Sequence, residues 1–331
     1  MKSCIQVFLC VAMFLSPIHS KGAPAPLRIA SFNMKWLAAT ASESHMDPWH
    51  SEASLEAHRH ALARILAERV RADVVCVLEV LSRQALEKLA AEPVLRFMGY
   101  SAYHLESEDT GTGQDVAFLV RVPLDKVDGK EIRRFSLRGE APASVRSRKN
   151  RGPVHSGLTK NAVIYLTVGK LKLGILGIHL LAHPDDHGRT RKREIQAALT
   201  AQIVRDEIVK RGYTPIVMGD FNDFDPDVEV SAGVPDSRRT VLRRIKDFDS
   251  KTPGYEMFNA AERIKPITER YSAYWDKNDD EKLDAGDVLS LLDHILLAQA
   301  LAPRLKNVVI QHEAHDGTVS DHWPVVVDLE R

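Results

Sequence analysis

Six places in the chain set a polar or ionisable residue at the end of an apolar run. Asn33 follows "LRIASF", Glu79 sits late in "DVVCVLEV", and His179 closes "GILGIH". Asp220 and Asn222 follow "PIVMG", Asp293 interrupts "LLDHILL", and Asp321 with His322 precedes "WPVVVDL". Binding and catalytic groups are disproportionately carried at strand ends and loops of a rigid scaffold. Any one of these alone has a plain structural explanation: His179 as a hydrogen-bonded strand-end histidine, Glu79 as the partner of an arginine. Together the residue types suit hydrolysis of a phosphodiester. That reaction needs a hard cation on the phosphoryl oxygens, and Mg²⁺ prefers one or two carboxylates with water and substrate. Glu79 and Asp321 can supply those carboxylates. A histidine can take a proton from water when a carboxylate behind it fixes its tautomer. Asn222 can donate to a phosphoryl oxygen without adding charge. No serine, cysteine or lysine stands in a comparable nucleophilic setting, so direct attack by water is the simpler route.

The stretch "VMGDFNDFD" (218–226) is the densest of these. Asp220, Asp223 and Asp225 would repel one another unless something cationic sat among them. Asp220 and Asn222 are read as facing the reacting phosphate, and Asp223, Asp225 and Asp227 as turn residues exposed to solvent.

Positioning these groups falls to alternating strands and helices. Apolar runs over 27–34, 73–80, 115–122, 161–168 and 171–181 read as strands. The second is nearly continuous, as in a strand buried on both faces. The last two are joined by "GK", a tight-hairpin signal. Thr214 to Met218 forms a strand before "GDFN", and 291–298, 305–312 and 322–329 complete the set. Leu55, Leu62, Ile65, Leu66 and Val70 recur at helical spacing over 54–70. A second helix spans Thr190 to Arg211, with Ile195, Leu199, Ile203 and Ile208 on one face and Gly212 and Pro215 as stops. Without repeats or a long linker, residues 27–331 read as one domain. Hairpins mixed with βαβ-type units imply an α/β fold of sheets packed together and covered by helices.

The N-terminus differs. Lys2, an apolar run from Cys4 to Leu15, and then "SPIHSKGAPAP" read as a signal peptide over 1–25, cleaved after Ser20 or Ala25. The apolar run is too short for a membrane span, so a secreted or periplasmic protein is expected. Cys4 and Cys10 leave with the signal, so Cys76 stays without an intramolecular partner. The net charge is zero, with 45 basic and 45 acidic residues, and gives no preference for a polyanion. Residues 126–160 depart from that balance, with ten Lys or Arg against three Asp or Glu.

The motifs resemble the endonuclease/exonuclease/phosphatase superfamily, the DNase I-like group. The resemblance runs in order through "IASFNMKWL", "DVVCVLEV", "DVAFLV", "GIHLLAH", "MGDFND", "LLDHILL" and "VSDHWPVVV", with "YSAYWD" before the sixth. It covers nearly all of the chain after the signal. It implies a four-layer α/β sandwich, two mixed sheets face to face with helices outside. It further implies Glu79 as the principal metal-binding glutamate with Asn33 beside it, and Asp321 as a metal-associated acid. Asp220 and Asn222 would contact the reacting phosphate, His322 would be the catalytic histidine, and Asp293 the carboxylate orienting it. His179 resembles a second histidine of the DNase I and sphingomyelinase branches, and Asp115 is a looser match, read as its partner.

The resulting expectation is an exported, monomeric, Mg²⁺-dependent phosphodiesterase, with Mn²⁺ as a substitute, acting on nucleic acid as an endonuclease. Arg146, Arg148, Lys149 and Arg151 would hold the backbone in a sequence-independent, salt-sensitive way. A sphingomyelinase-like or phosphatase-like hydrolase is the alternative, with Trp49 and Trp275 as the aromatics a membrane-docking element would need. A non-catalytic binding protein is the remote one, since nothing of the centre is missing. The loop "DKNDDEKLDAGD" (276–287) imitates a calcium loop. Glu281 stands where glycine is needed and Asp287 at the twelfth position, so a structural Ca²⁺ has no support there and the segment reads as solvated.

Overall fold

In the computed structural model, which describes residues 25–43, 49–109, 111–140, 154–231, 233, 235–251, 253–278, 280 and 282–331, the apolar runs build two six-stranded mixed sheets. In chain order the strands are β1 (Leu27–Leu37), β2 (Val74–Val80), β3 (Ser101–His104), β4 (Asp115–Val120), β5 (Ile132–Arg133), β6 (Leu137–Glu140), β7 (His155–Leu158) and β8 (Asn161–Val168). Then come β9 (Leu171–His179), β10 (Thr214–Asp220), β11 (Met257–Asn259), β12 (Ala273–Trp275), β13 (Val288–Ser290), β14 (Asp293–Ala298), β15 (Leu305–Ile310) and β16 (Val325–Leu329). The first sheet runs β15-β16-β1-β2-β4-β3 and the second β11-β14-β10-β9-β8-β5. Two hairpins, β6–β7 and β12–β13, stand apart from both. Of the expected signal segment only Ala25 is described, and Arg146, Arg148, Lys149 and Arg151 lie outside the described residues.

Side-chain alternation along the strands sets the layers. On β2, Val74, Cys76 and Leu78 face the second sheet, while Val75 and Val77 face outward. The outward side is covered by α1 (Glu52–Ile65) and α2 (Arg83–Ala90), through residues such as Leu62, Leu66, Leu86 and Leu89. The second sheet is covered likewise by α3 (His187–Ile203) and α4 (Val241–Lys246). The result is a four-layer α/β sandwich, and each large aliphatic side chain buried in it contributes about 1.5–3 kcal/mol over exposure. The sheets approach closely at Gly177, where a Cβ would lie 2.6 Å from Cys76 Sγ and 2.7 Å from Val116 Cγ1.

The helix expected over 54–70 begins at Glu52. Ser51 caps it, its hydroxyl accepting from Ser54 N, and a wider π-type turn carries it through Val70. The helix expected from Thr190 starts earlier, at His187, because Asp186 accepts from Gly188 N and Arg189 N. Strand β9 stops at His179 and β16 begins at Val325, so the segments flanking the reactive residues are loop. The short elements α2, α4, β3, β5 to β7 and β11 to β13 were not expected. They span too few residues for a period to register.

Candidate active site

The pairing of parallel and antiparallel strands lines the polar residues up. On β10, Asp220 lies opposite His179 of β9 on one side and Asp293 of β14 on the other. Three of the expected residues therefore form one row across the second sheet. In the first sheet, Asn33 of β1 pairs with Leu78 of β2, immediately before Glu79. Glu79 is the extra residue of a bulge: Leu78 opposes Val116 and Val80 opposes Asp115, leaving Glu79 unpaired on its strand. A bulge re-aims a side chain, and here it turns Glu79 into the cleft between the sheet ends.

The local backbone is tight. Lys35, Trp36, Glu79 and Asn222 all adopt left-handed conformations, with φ of 45°, 55°, 60° and 48°. For residues with a Cβ each costs on the order of 1 kcal/mol or more and persists only where the surroundings enforce it. Gly219, at φ 139°, has no alternative, because a Cβ there would sit 1.9 Å from the Ile178 carbonyl oxygen.

Asp220 is the hub. Its Oδ2 lies 3.4 Å from Asn33 Nδ2, 3.6 Å from His179 Nε2 and 4.0 Å from His322 Nε2. The far nitrogen of His322, Nδ1, bonds Asp293 Oδ2 at 2.6 Å. Ser272 fixes that carboxylate by donating from Oγ at 2.8 Å and accepting Asp293 N on the same oxygen. Ser320 donates to the Asn33 carbonyl at 2.8 Å and accepts His322 N, tying the "SDH" segment to β1. Glu79 is held at both oxygens, by Asn33 Nδ2 at 3.0 Å and Trp36 N at 3.2 Å. Asn222 donates from Nδ2 to the Leu180 carbonyl.

Burial dominates the electrostatics. It raises the Glu79 carboxyl, and the nearby charge of Asp321 raises it further. Burial also pushes Asp220 up to about 7, against the opposing pull of His322 and with Asp293 adding to the rise. His179 falls well below the ordinary histidine value, through burial and then the charge of Lys160. Burial opposes the charge on His322 too, but Asp293 with Asp321 and Asp220 outweighs it and holds the imidazole well above its usual value. Asp220, Asp293 and His322 offer donor atoms within 4.8 Å of one another. The bond between His322 and Asp293 ties up that group, and Glu79 and Asp321, both lining the same cleft, are the better hard-oxygen pair. Half-buried carboxylates whose charges raise one another are a setting that a divalent cation relieves, so these residues fit a metal.

Two expectations fail. Asp115 is not the partner of His179. It bonds His104 Nε2 at 2.8 Å and accepts Ser107 N, because β4 pairs with β3 and Asp115 alternates with Val116 and Phe118, the residues of β4 that face the second sheet. Asp223 and Asp225 are not solvent-exposed turn residues: both are buried. Asp223 accepts from Arg193 Nε at 2.8 Å and Arg239 Nη1 at 2.9 Å, and Asp225 accepts from Lys246 Nζ at 2.8 Å and Asn259 Nδ2 at 3.1 Å. Asp227 is exposed but ion-paired to Arg243 and Lys246. The repulsion in "GDFNDFD" is thus relieved partly from within. Arg193 does more: fully buried, it also donates to the carbonyls of Leu181, His183 and Pro184, locking the loop after His179 to the loop after Asp220. Asp223 and these carbonyls lie 9 to 30 residues away, beyond any local signal. In 276–287 the carboxylates serve the loop's own backbone, Asp287 accepting Lys277 N and Asp284 N. Trp49 stacks on His58 and donates to the Trp36 carbonyl, whereas Trp275 is 68% exposed.

Residues 30–322 match the model of the endonuclease/exonuclease/phosphatase family. No curated protein matches the sequence. Among solved structures, the 3' phosphatase NExo from Neisseria, bound to a product DNA hairpin, is 19% identical with a TM-score of 0.56, over 92% of this chain and 100% of that one. D. rerio TDP2, complexed with single strand DNA product, is 15% identical with a TM-score of 0.56, over 93% and 100%. An endonuclease/exonuclease/phosphatase family protein from Leptotrichia buccalis is 15% identical with a TM-score of 0.57, over 92% and 100%. At such identities the likeness speaks for the fold, and the sequence match speaks for descent. The chain belongs to the endonuclease/exonuclease/phosphatase family, whose members hydrolyse phosphoester bonds.

Proposed function

We propose that the protein is an exported, Mg²⁺-dependent phosphodiesterase that cleaves nucleic acid by direct attack of water. One observation carries the reading: His179 and His322 bring Nε2 to within 3.6 and 4.0 Å of the same Asp220 oxygen, with Asp293 behind His322 at 2.6 Å. Two imidazoles flanking one carboxylate leave room for a phosphoryl group between an attacking and a departing oxygen. In its neutral form, reached once the acidic field that favours its charge is offset, His322 accepts the proton of the attacking water at Nε2 while Asp293 keeps Nδ1 protonated. The water oxygen bonds to phosphorus, the bond to the leaving oxygen breaks, and that oxygen takes the proton of Asp220, whose carboxyl is held near neutrality. His179, neutral, donates a hydrogen bond to the phosphoryl group. Held by Glu79 and Asp321, Mg²⁺ (or Mn²⁺ in its place) would neutralise phosphoryl charge and offset the acidic field around His322.

The DNA bound to NExo and TDP2 supports nucleic acid as the substrate, as do Lys160, Arg189 and Lys192 along the cleft. The test incubates purified protein with linear DNA, sphingomyelin vesicles and a phosphomonoester, each with Mg²⁺ or EDTA, beside His322→Ala. Cleavage of DNA that needs both metal and His322 is expected. Intact DNA alongside a hydrolysed lipid or monoester would replace the nuclease reading. That second reading draws on Trp275 and the part-exposed Val288 opposite it, an apolar pair on a hairpin beside His322. Flotation of the protein with liposomes would favour it. Export is tested separately: N-terminal sequencing of protein recovered outside the cytoplasm should begin at Lys21 or Pro26.

A further inference from the structure

The cleft is electrically lopsided along its length. The strands reach it in matching order, β16, β1, β2 and β4 in one sheet and β14, β10, β9 and β8 in the other, so position along the groove follows strand order. At the β16 end, Ala273 of β12 bridges to His322, and Tyr274 N donates to the Asp321 carbonyl at 3.0 Å. The β12–β13 hairpin therefore rises beside His322. Its loop carries Asp276, Asp280, Asp284 and Asp287 against Lys277 and Lys282.

The other end has the opposite sign. The centre lies in a cleft of about 1250 Å³ that takes in Glu79, His179, Asp220 and His322 and whose wall on the β8 and α3 side carries Arg138 on β6, Lys160 before β8, and Arg189 and Lys192 on the first turns of α3. Asp109 and Glu140 share this wall, and Asp109 is paired with Lys160 at 3.0 Å. Arg189 and Lys192 form no salt bridge among the described residues. A phosphate next to the scissile one gains charge-assisted contacts on this side. On the hairpin side it would face a loop of net negative charge instead.

We propose that the protein works at the end of a polyanionic strand, with the scissile phosphoester at Asp220, the remaining phosphates running past Arg189 and Lys192, and the acidic hairpin beside His322 barring a second charged arm. This rests on the phosphodiesterase reading and replaces the internal cleavage expected of an endonuclease with cleavage from an end. The experiment gives the full-length protein and Mg²⁺ three substrates: a labelled single-stranded oligonucleotide, the same oligonucleotide ligated into a circle, and bis(p-nitrophenyl) phosphate, a diester with no second phosphate. The linear strand should shorten from one end at least tenfold faster than the circle opens. Arg189→Ser with Lys192→Ser should lower kcat/KM at least tenfold more on the linear strand than on bis(p-nitrophenyl) phosphate, whereas the exchange Arg189→Lys with Lys192→Arg keeps the charge and should keep most of the activity. A circle opened as fast as the linear strand, or internal fragments appearing first, overturns the proposal. So does an equal loss on both diesters in the serine variant. Hydrolysis of none of the three would instead remove the phosphodiesterase reading on which it stands.

Discussion

At the scale of single residues, the charges at the centre make opposing demands on folding and chemistry. The Asp220 carboxyl is raised by burial, so the fold favours its protonated form. Its contribution to stability is present below the ordinary carboxylate value and is lost as pH rises through about 7. Asp220→Asn should therefore raise the Tm of metal-free protein at pH 8 by the equivalent of a few kcal/mol, less so at pH 5, while removing activity. A Tm difference that does not change with pH would refute this. His322 behaves in the same direction, its charged form losing support as pH climbs past its raised value. Asp293→Asn should lower kcat by about 10²–10⁴-fold with little change in KM, because it withdraws the partner that keeps His322 Nδ1 protonated. Glu79→Gln should chiefly increase the Mg²⁺ concentration needed for half-maximal rate. The eight residues read at strand ends are brought to one cleft, because strand-end polarity follows directly from the binary pattern. The roles of Asp115, Asp223 and Asp225 were not legible, since their partners are set by which strands and helices become neighbours.

Elements hold these groups through buried charge as much as through sheets. Arg193 on α3 satisfies Asp223 and four loop carbonyls with no exposure to water. Arg193→Met should cost about 3–5 kcal/mol in a urea titration, because it strands a buried carboxylate and several carbonyls. A loss below 1 kcal/mol would mean that Arg239 alone suffices for Asp223. On α1, His58 is buried against Trp49, and burial pushes it down to about 3. It is neutral in the fold, so its contribution is present above the ordinary histidine value of 6.5 and is lost as pH falls toward 3. His58→Leu should flatten the fall in stability between pH 6.5 and 4, and unchanged urea midpoints across that range would reject the assignment. The long helices and central strands were legible because ten or more residues repeat one period or stay continuously apolar. Neither a two-residue β5 nor the bulge at Glu79 leaves such a trace.

On the scale of the whole molecule, two sheets close over an apolar interior. No helix among the described residues is long and apolar enough to cross a membrane. Added Mg²⁺ should raise the Tm of the wild-type protein with its logarithm of concentration, since a ligand bound by the folded state alone stabilises by mass action. The absence of that rise in Glu79→Gln would locate the ion. The narrow contact at Gly177 has a further consequence. It presses the layers together over Cys76, whose thiol is buried and, through that burial, ionises only at a pH far above its ordinary value. In a chain freed of residues 1–25 this is the one thiol left, and no reagent reaches it unless the sheets part. Its rate of labelling under excess disulfide reagent is then a clock for the separation of the two halves, readable in the folded enzyme without any introduced probe.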